Sequence, residues 1–251
     1  MQHTPAQDER ETIWDATSGI SGSSIDFLVA TDRGLIKVQS EYPGYSGNVT
    51  TDPVGNYGEY LAVSSLAQKP SVFLAGDRRG RILLRDYRAK EDPRRIIFRH
   101  PKATFKIRSL SEHLVTVSGA YSTLCNYDLR YPKHHAALQI WPTDAAHYDQ
   151  KVTTPVVTYP EHTNSARHDL GFDVDSDAGI VAAVQDDDHR TIKIFSASSG
   201  RMLRSIDAAE VEPQLDPTRP VHAVRFVDYR ADGGMKSLWV AKGSGIVSYE
   251  W

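Results

Sequence analysis

Apolar and polar positions along this chain alternate in short runs of about four to eight residues, paired across turns that carry glycine or aspartate, the signature of antiparallel strands. No stretch sustains an apolar period near 3.6, so the pattern predicts little helix. The clearest paired runs are VFLAGDRRGRILLRDYR (72–88) and LVTVSGAYSTLCNYDLR (114–130), and both end in an aspartate-x-arginine box. Asp86-Tyr87-Arg88 falls in register with Asp128-Leu129-Arg130 at an offset of 128 − 86 = 42 residues. That offset lies within the roughly 40 to 45 residues of one four-stranded propeller blade.

Further copies are IVAAVQDDDHRTIKIFSASSG (180–200), FLVATDRGLIKVQS (27–40) and LWVAKGSGIVSYEW (238–251). Between the copies, strands are predicted at Tyr60–Leu66, Arg95–Phe98, Thr104–Leu110, Pro155–Tyr159, Leu170–Val174, Met202–Ile206 and Val221–Val227. The expectation is an all-β propeller with about five recognisable blades. A ring of blades removes exposed sheet edges only when its first and last blades meet. Three arrangements stay open: a five-bladed ring, a larger ring with further strands, or an incomplete ring lacking N-terminal blades. In a closed five-bladed ring, Thr12–Ala16 would complete the last blade.

Spacing between copies is uneven. Ser196 aligned with Asp128 gives 68 residues, 26 more than the period of 42, and the excess follows Arg130. Residues 131–154 are read as an insertion within a blade and residues 207–220 as a second one joining two blades, both surface connections that tolerate extra length. Residues 1–10, polar and without an apolar core segment, read as a disordered tail, and 11–251 as the propeller.

Read together, the Asp-x-Arg boxes, YPEH (159–162), GIVAAVQDDDHRTIKIFSASSGRMLRSI and LWVAKGSGIVSYEW resemble WD-repeat proteins, and more narrowly the cullin-4-associated factors. Those proteins are substrate receptors of cullin-4 RING ubiquitin ligases. The resemblance implies a non-catalytic, protein-binding propeller that docks on the ligase adaptor, damage-specific DNA-binding protein 1, and holds a substrate protein on its opposite face. It marks Arg88 and Arg130 as adaptor-binding arginines, with Asp86 and Asp128 as the box aspartates. The box tryptophan is replaced by Arg85 in the first copy and Tyr127 in the second, and Phe195-Ser196-Ala197-Ser198 carries no box. The alternative is a general WD-repeat scaffold without a ligase link.

Composition narrows the setting. The chain has 251 residues, 40% of them hydrophobic, and one cysteine, so an internal disulfide framework is excluded and a reducing compartment, nucleus or cytoplasm, is expected. No run of about 18 apolar residues suggests a membrane span. The formal net charge of −3 is unevenly spread. Asp77 to Arg108 holds 12 Lys or Arg against 4 acids, a surplus of 8, and Asp144 to Asp188 holds 2 against 10, a deficit of 8. An anionic partner near the basic blade is one reading and solvated faces the other; nucleic acid is a minor reading, because regular aromatic interleaving is missing.

Catalytic and cofactor signatures are sparse. There is no Gly-x-Ser-x-Gly elbow, no phosphate-binding loop and no paired cysteine motif, so no enzyme activity, cofactor or metal is expected. Asp173, Asp175 and Asp177 begin like a calcium loop, but Ala178 and Val184 occupy the positions of its glycine and its last glutamate, so FDVDSDAG reads as a strand entering a turn. Asp186, Asp187, Asp188 and His189 read as turn caps. His134, His135 and His147 lack a ligand spacing. His100 and His162 are expected in buried hydrogen-bond networks with an aspartate, and Cys125 as an inert core thiol. Trp14, Trp239 and Trp251 read as packing residues and Trp141 as exposed.

Overall fold

The computed structural model of the chain describes residues 12–21, 24–40, 47–52, 59–66, 69–86, 95–131, 134–135, 152–208, 220–228, 236–243 and 245–250. The expected tail, most of both insertions, Arg88, Trp141, His147 and Trp251 lie outside them. The first blade is β1 (Ile13–Ser21), β2 (Ser24–Thr31), β3 (Leu35–Ser40) and β4 (Gly47–Asp52), and the second is β5 (Tyr60–Leu66), β6 (Lys69–Asp77), β7 (Arg81–Asp86) and β8 (Arg95–Arg99). The third holds β9 (Thr104–Ser109), β10 (Leu114–Gly119) and β11 (Leu124–Asp128). A short ladder of β12 (His134–His135) with β13 (Val152–Thr153) follows before the blade ends in β14 (Val157–Thr158), which pairs with β11. β15 (Phe172–Asp175), β16 (Ile180–Val184), β17 (Thr191–Ser196) and β18 (Met202–Asp207) form the fourth blade, and β19 (Val221–Asp228), β20 (Lys236–Lys242) and β21 (Gly245–Glu250) the fifth.

Every pairing is antiparallel, and apart from β11 with β14, which spans the β12–β13 ladder, each joins neighbours in the chain, the meander that local turns favour. The first strands, β1, β5, β9, β15 and β19, pack on one another in that order around a central axis. Five blades arranged in this way make a β-propeller, as the 42-residue repeat predicts. The turns between second and third strands define an upper rim, and the ends of the third strands a lower rim.

Each blade has two faces, and the apolar residues of both sides drive blade onto blade. Leu28, Ala30 and Leu35 of the first blade meet Tyr60, Val63, Phe73 and Leu83 of the second. Leu74, Ile82 and Phe98 meet Ile107, Val117 and Tyr127 of the third. Leu124 and Tyr159 meet Phe172, Val181 and Phe195 of the fourth, and Leu170, Ile192 and Ile194 meet Val224, Leu238 and Val240 of the fifth. Fully burying one such side chain contributes about 1.5–3 kcal/mol, so these layers outweigh the hydrogen bonds that cross between blades at about 1 kcal/mol each.

Among the described residues no such core joins the fifth blade to the first. The outward faces of those blades carry Phe27, 40% exposed, and Ile246, 67% exposed. The expectation that Thr12–Ala16 completes the last blade is corrected: β1 pairs with β2, from Ile13↔Thr31 to Ser21↔Ser24. A hairpin with the next strand closes a far shorter loop than pairing with the other end of the chain.

His100 is fully buried between the second and third blades. Its Nε2 lies 2.9 Å from Thr123 Oγ1 and its Nδ1 2.9 Å from the Tyr127 hydroxyl. Because the Thr123 hydroxyl donates to the Ala120 carbonyl (2.7 Å), it accepts from Nε2–H, which leaves Nδ1 to accept from Tyr127. The imidazole is therefore neutral, and burial pushes its pKa down to about 3. The network uses a threonine and a tyrosine where an aspartate was expected. His162 is also buried and lowered, to about 4, by burial and by Lys193 nearby.

Two outcomes follow. Asn126 donates through Nδ2 to the Ala197 carbonyl (2.7 Å) and accepts from the Tyr159 hydroxyl (2.9 Å), tying the third blade to the fourth. Asn126→Ala leaves both partners buried and unpaired, and should lower the urea midpoint by the equivalent of about 1–3 kcal/mol at unchanged m-value. Both histidines bind protons less readily folded than unfolded, where the pKa is about 6.5. Stability should then fall as pH drops from about 6.5 toward 4, and replacing both with Gln should flatten that slope in thermal melts; an unchanged slope would exclude this cause.

Candidate protein-docking groove

The two Asp-x-Arg boxes arise at the same point of consecutive blades, where a third strand reaches the lower rim. Asp86 ends β7 and Asp128 ends β11. Between the blades a groove of about 450 Å³ opens, lined by Leu66, Val72, Leu84, Ile97 and Leu129, with Lys69, Asp86, Glu112, His113 and Arg130 as its polar positions. Asp86 and Arg130 therefore line one site, although they are 44 residues apart (130 − 86). Lys69 spans the groove to Glu112 at 3.2 Å, and Glu112 also faces His113 at 3.6 Å.

Arg130 is held before any partner arrives. Its backbone N–H donates to Asp128 Oδ1 (2.9 Å), its Nε to the same oxygen (3.1 Å) and its Nη2 to Oδ2 (2.8 Å). The guanidinium also lies 5.6 Å from the centre of the Tyr131 ring, and Tyr131 is 72% exposed. A fork so bound keeps one direction, and its remaining N–H groups and the tyrosine edge face solvent. The hydrogen bonds from Arg130 pull the Asp128 carboxyl down to about 2. The groove thus offers apolar depth, a fixed cation and an exposed aromatic, the residue types that dominate protein interfaces.

Tyr127 and Arg85 stand where the box tryptophan would be, and both are buried. Tyr127 keeps the packing role, stacked on Phe98 at 4.6 Å between ring centres. Arg85 lies across from Phe73 in the β6–β7 ladder. Tyr131, Glu112, His113 and Lys69 escaped sequence reasoning. Only the side-by-side blades bring Lys69 to Glu112 and His113 in the groove, with Tyr131 beside Arg130 at its edge, and no periodicity within one copy signals that.

The other sequence candidates are consumed by the fold. Asp173, on β15, accepts from Phe226 N–H (2.8 Å) and faces Arg108 and Arg225 at 3.7 Å, while Asp15 accepts from Val63 N–H (3.2 Å) and faces Arg108 at 3.5 Å. Charge alternates through these side chains across the first strands. Asp175 caps the turn through Asp177 and Ala178 N–H and pairs with Lys236 at 2.8 Å. Asp188 caps Arg190 and Thr191 N–H, and Asp186 accepts from Ser165 N–H. Cys125 is buried, which pushes its thiol up to about 11. Trp14 is half-buried and meets His168 edge-on at 4.7 Å, packing against the cluster of Leu61, Phe105 and Ala120. Among the described residues, no group of three or more His, Cys, Asp or Glu side chains could hold a metal ion. No helix among them is long and apolar enough to cross a membrane.

No family model matches the chain, and no curated protein matches it. Among solved structures it is similar to a chain of the mitotic checkpoint complex, at 14% identity over 96% of this chain and 67% of that one, with a TM-score of 0.56. It is also similar to the computationally designed Ika8 protein, at 15% identity over 94% of this chain and 58% of that one, with a TM-score of 0.55. The likeness is one of fold alone, and this chain spans only part of each.

Asp128 should titrate near pH 2 in a carboxyl-detected NMR experiment and return toward its ordinary value near 3.8 in Arg130→Ala. An unmoved titration in that variant would mean that the fork is not what holds the carboxylate.

Proposed function

We propose that this propeller is a non-catalytic protein-binding module whose lower rim docks on the adaptor of a cullin-4 RING ubiquitin ligase, damage-specific DNA-binding protein 1. The observation that carries the reading is Arg130, forked on Asp128 at the rim of an apolar groove that Asp86 of the neighbouring blade also lines. The resemblance of the two boxes to those of cullin-4-associated factors names the adaptor. A propeller built of short antiparallel blades suits protein binding.

In this reading the receptor acts by proximity. The groove holds the adaptor, the upper rim holds a protein substrate, and the acceptor lysine is raised to a high effective concentration beside the conjugating enzyme. Arg130→Ala should weaken capture of purified adaptor by about 2 kcal/mol or more, roughly thirtyfold in Kd, while far-ultraviolet circular dichroism stays unchanged. Equal affinity of the wild type and the variant would remove Arg130 from the interface. No affinity in a folded wild type would leave a propeller scaffold without a ligase link.

A further inference from the structure

The turn joining second to third strands carries glycine at positive φ in the first, second and fifth blades: Gly34 (153°), Gly80 (74°) and Gly243 (60°). The third blade instead places Tyr121 (57°) and Ser122 (59°) in the left-handed region, which side chains other than glycine, asparagine and aspartate rarely occupy. Tyr121 gains no burial in return, since it is 67% exposed. The surroundings over-determine the conformation. Tyr121 N–H donates to the Ser165 carbonyl (2.8 Å), Ser122 N–H to the Asn164 carbonyl (2.5 Å), and Asn164 N–H to Ser122 Oγ (3.1 Å). A strained backbone clamped to present an exposed aromatic is the kind of feature that persists for binding.

The ground beside Tyr121 is cationic. Lys102 Nζ lies 5.1 Å from its ring centre. Residues 100–103 connect the turn to the second blade: Ala120 N–H donates to the Ala103 carbonyl (3.1 Å), and His100 N–H to the Gly80 carbonyl (2.7 Å). Arg79, in that second turn, is exposed and stands with Arg81 close enough to Arg99 to disfavour its charge. Arg81 is paired with Asp77 and Arg78 with Glu59, whereas Arg79 and Lys102 have no ion-pair partner among the described residues. On the other flank, Asp186 and Asp188 cap turns and Asp187 is exposed, so an acidic segment anchored at Tyr121 would run over the Lys102 and Arg79 side and away from these carboxylates.

We propose that the upper rim around Tyr121, Lys102 and Arg79 is a docking site for an acidic peptide segment of a partner protein, with Tyr121 as its aromatic anchor. The site stands on its own geometry. Within the receptor reading it is where a substrate would be held, and that extension rests on that reading.

The test is fluorescence anisotropy with a labelled glutamate-rich peptide bearing one central phenylalanine, and with a labelled DNA oligonucleotide as a second probe. Tyr121→Gly removes the ring while relieving the left-handed backbone, so its melting temperature should match or exceed that of the wild type. Its Kd for the peptide should rise at least about tenfold, as should that of Lys102→Glu. Arg130→Ala should leave peptide binding unchanged, which separates this site from the adaptor groove. Peptide affinity retained in Tyr121→Gly, absent in the wild type, or surpassed by that for the oligonucleotide would each overturn the proposal.

Discussion

Everything in this molecule depends on covering the two faces of each sheet. A single four-stranded blade cannot bury its apolar face alone, so the blades are stable only as a stack, and the stack curves because twisted sheets meet face to face about an axis. The first strands crowd at that axis, where Asp15, Arg108, Asp173 and Arg225 satisfy one another across blades and bond neighbouring backbone. Removing the arginines would strand Asp15 or Asp173, whose side chains are buried, in a poorly hydrated place, which costs more than the pair contributes. Here ionic order follows from apolar packing. It specifies how the blades line up, while the apolar cores supply the energy that holds them.

Among the described residues, the same constraint draws part of the charge imbalance of the sequence into internal pairs. The acid-rich stretch spends its carboxylates internally. Asp173 and Asp175 are buried, and Asp186 and Asp188 satisfy turn N–H groups. On the basic side, Arg81, Arg78 and Arg108 find carboxylates from their own or neighbouring blades. Among the described residues of the basic stretch, Arg79 and Lys102, at the upper rim of the second and third blades, remain without an ion-pair partner. Counting charges locates the blade; only the pairing shows which charges remain available to a partner.

Repeat spacing and alternation made the architecture legible. Tyr60–Leu66 was read to the residue, and Thr104–Ser109 and Val221–Asp228 lie within one residue of their expected ends. β4 escaped, because Gly47–Asp52 carries one bulky apolar residue, Val49, and no alternation. The pairing of β1 was misjudged for a different reason: a ring argument assigned Thr12–Ala16 to the last blade, whereas chain locality assigns it to the first. Of the site, the box aspartates and Arg130 could be read from register. The groove itself could not, since Leu66, Ile97 and His113 approach one another only through contact between two sheets. Tyr121 was equally silent, because its distinction is a backbone angle and an exposure, and neither is written in residue type.

The third blade sits between the two surfaces and shows how they relate. From the upper turn at Ala120–Thr123 the hydrogen bonds run through His100 to Tyr127, one residue before Asp128 and three before Arg130 at the lower rim. Every member of that line is buried or bonded, and Tyr127 is stacked on Phe98 of the second blade. Such a blade has no alternative packing to switch into, so binding at one rim has little means of altering the other. In the proposed receptor reading, that rigidity suits holding two proteins at a constant separation: effective concentration depends on geometry, and a flexible connection would dilute it. The neutral state of His100 belongs to the same argument, since an imidazolium there would place a charge in a fully buried site and force the Tyr127 hydroxyl to turn from donor to acceptor.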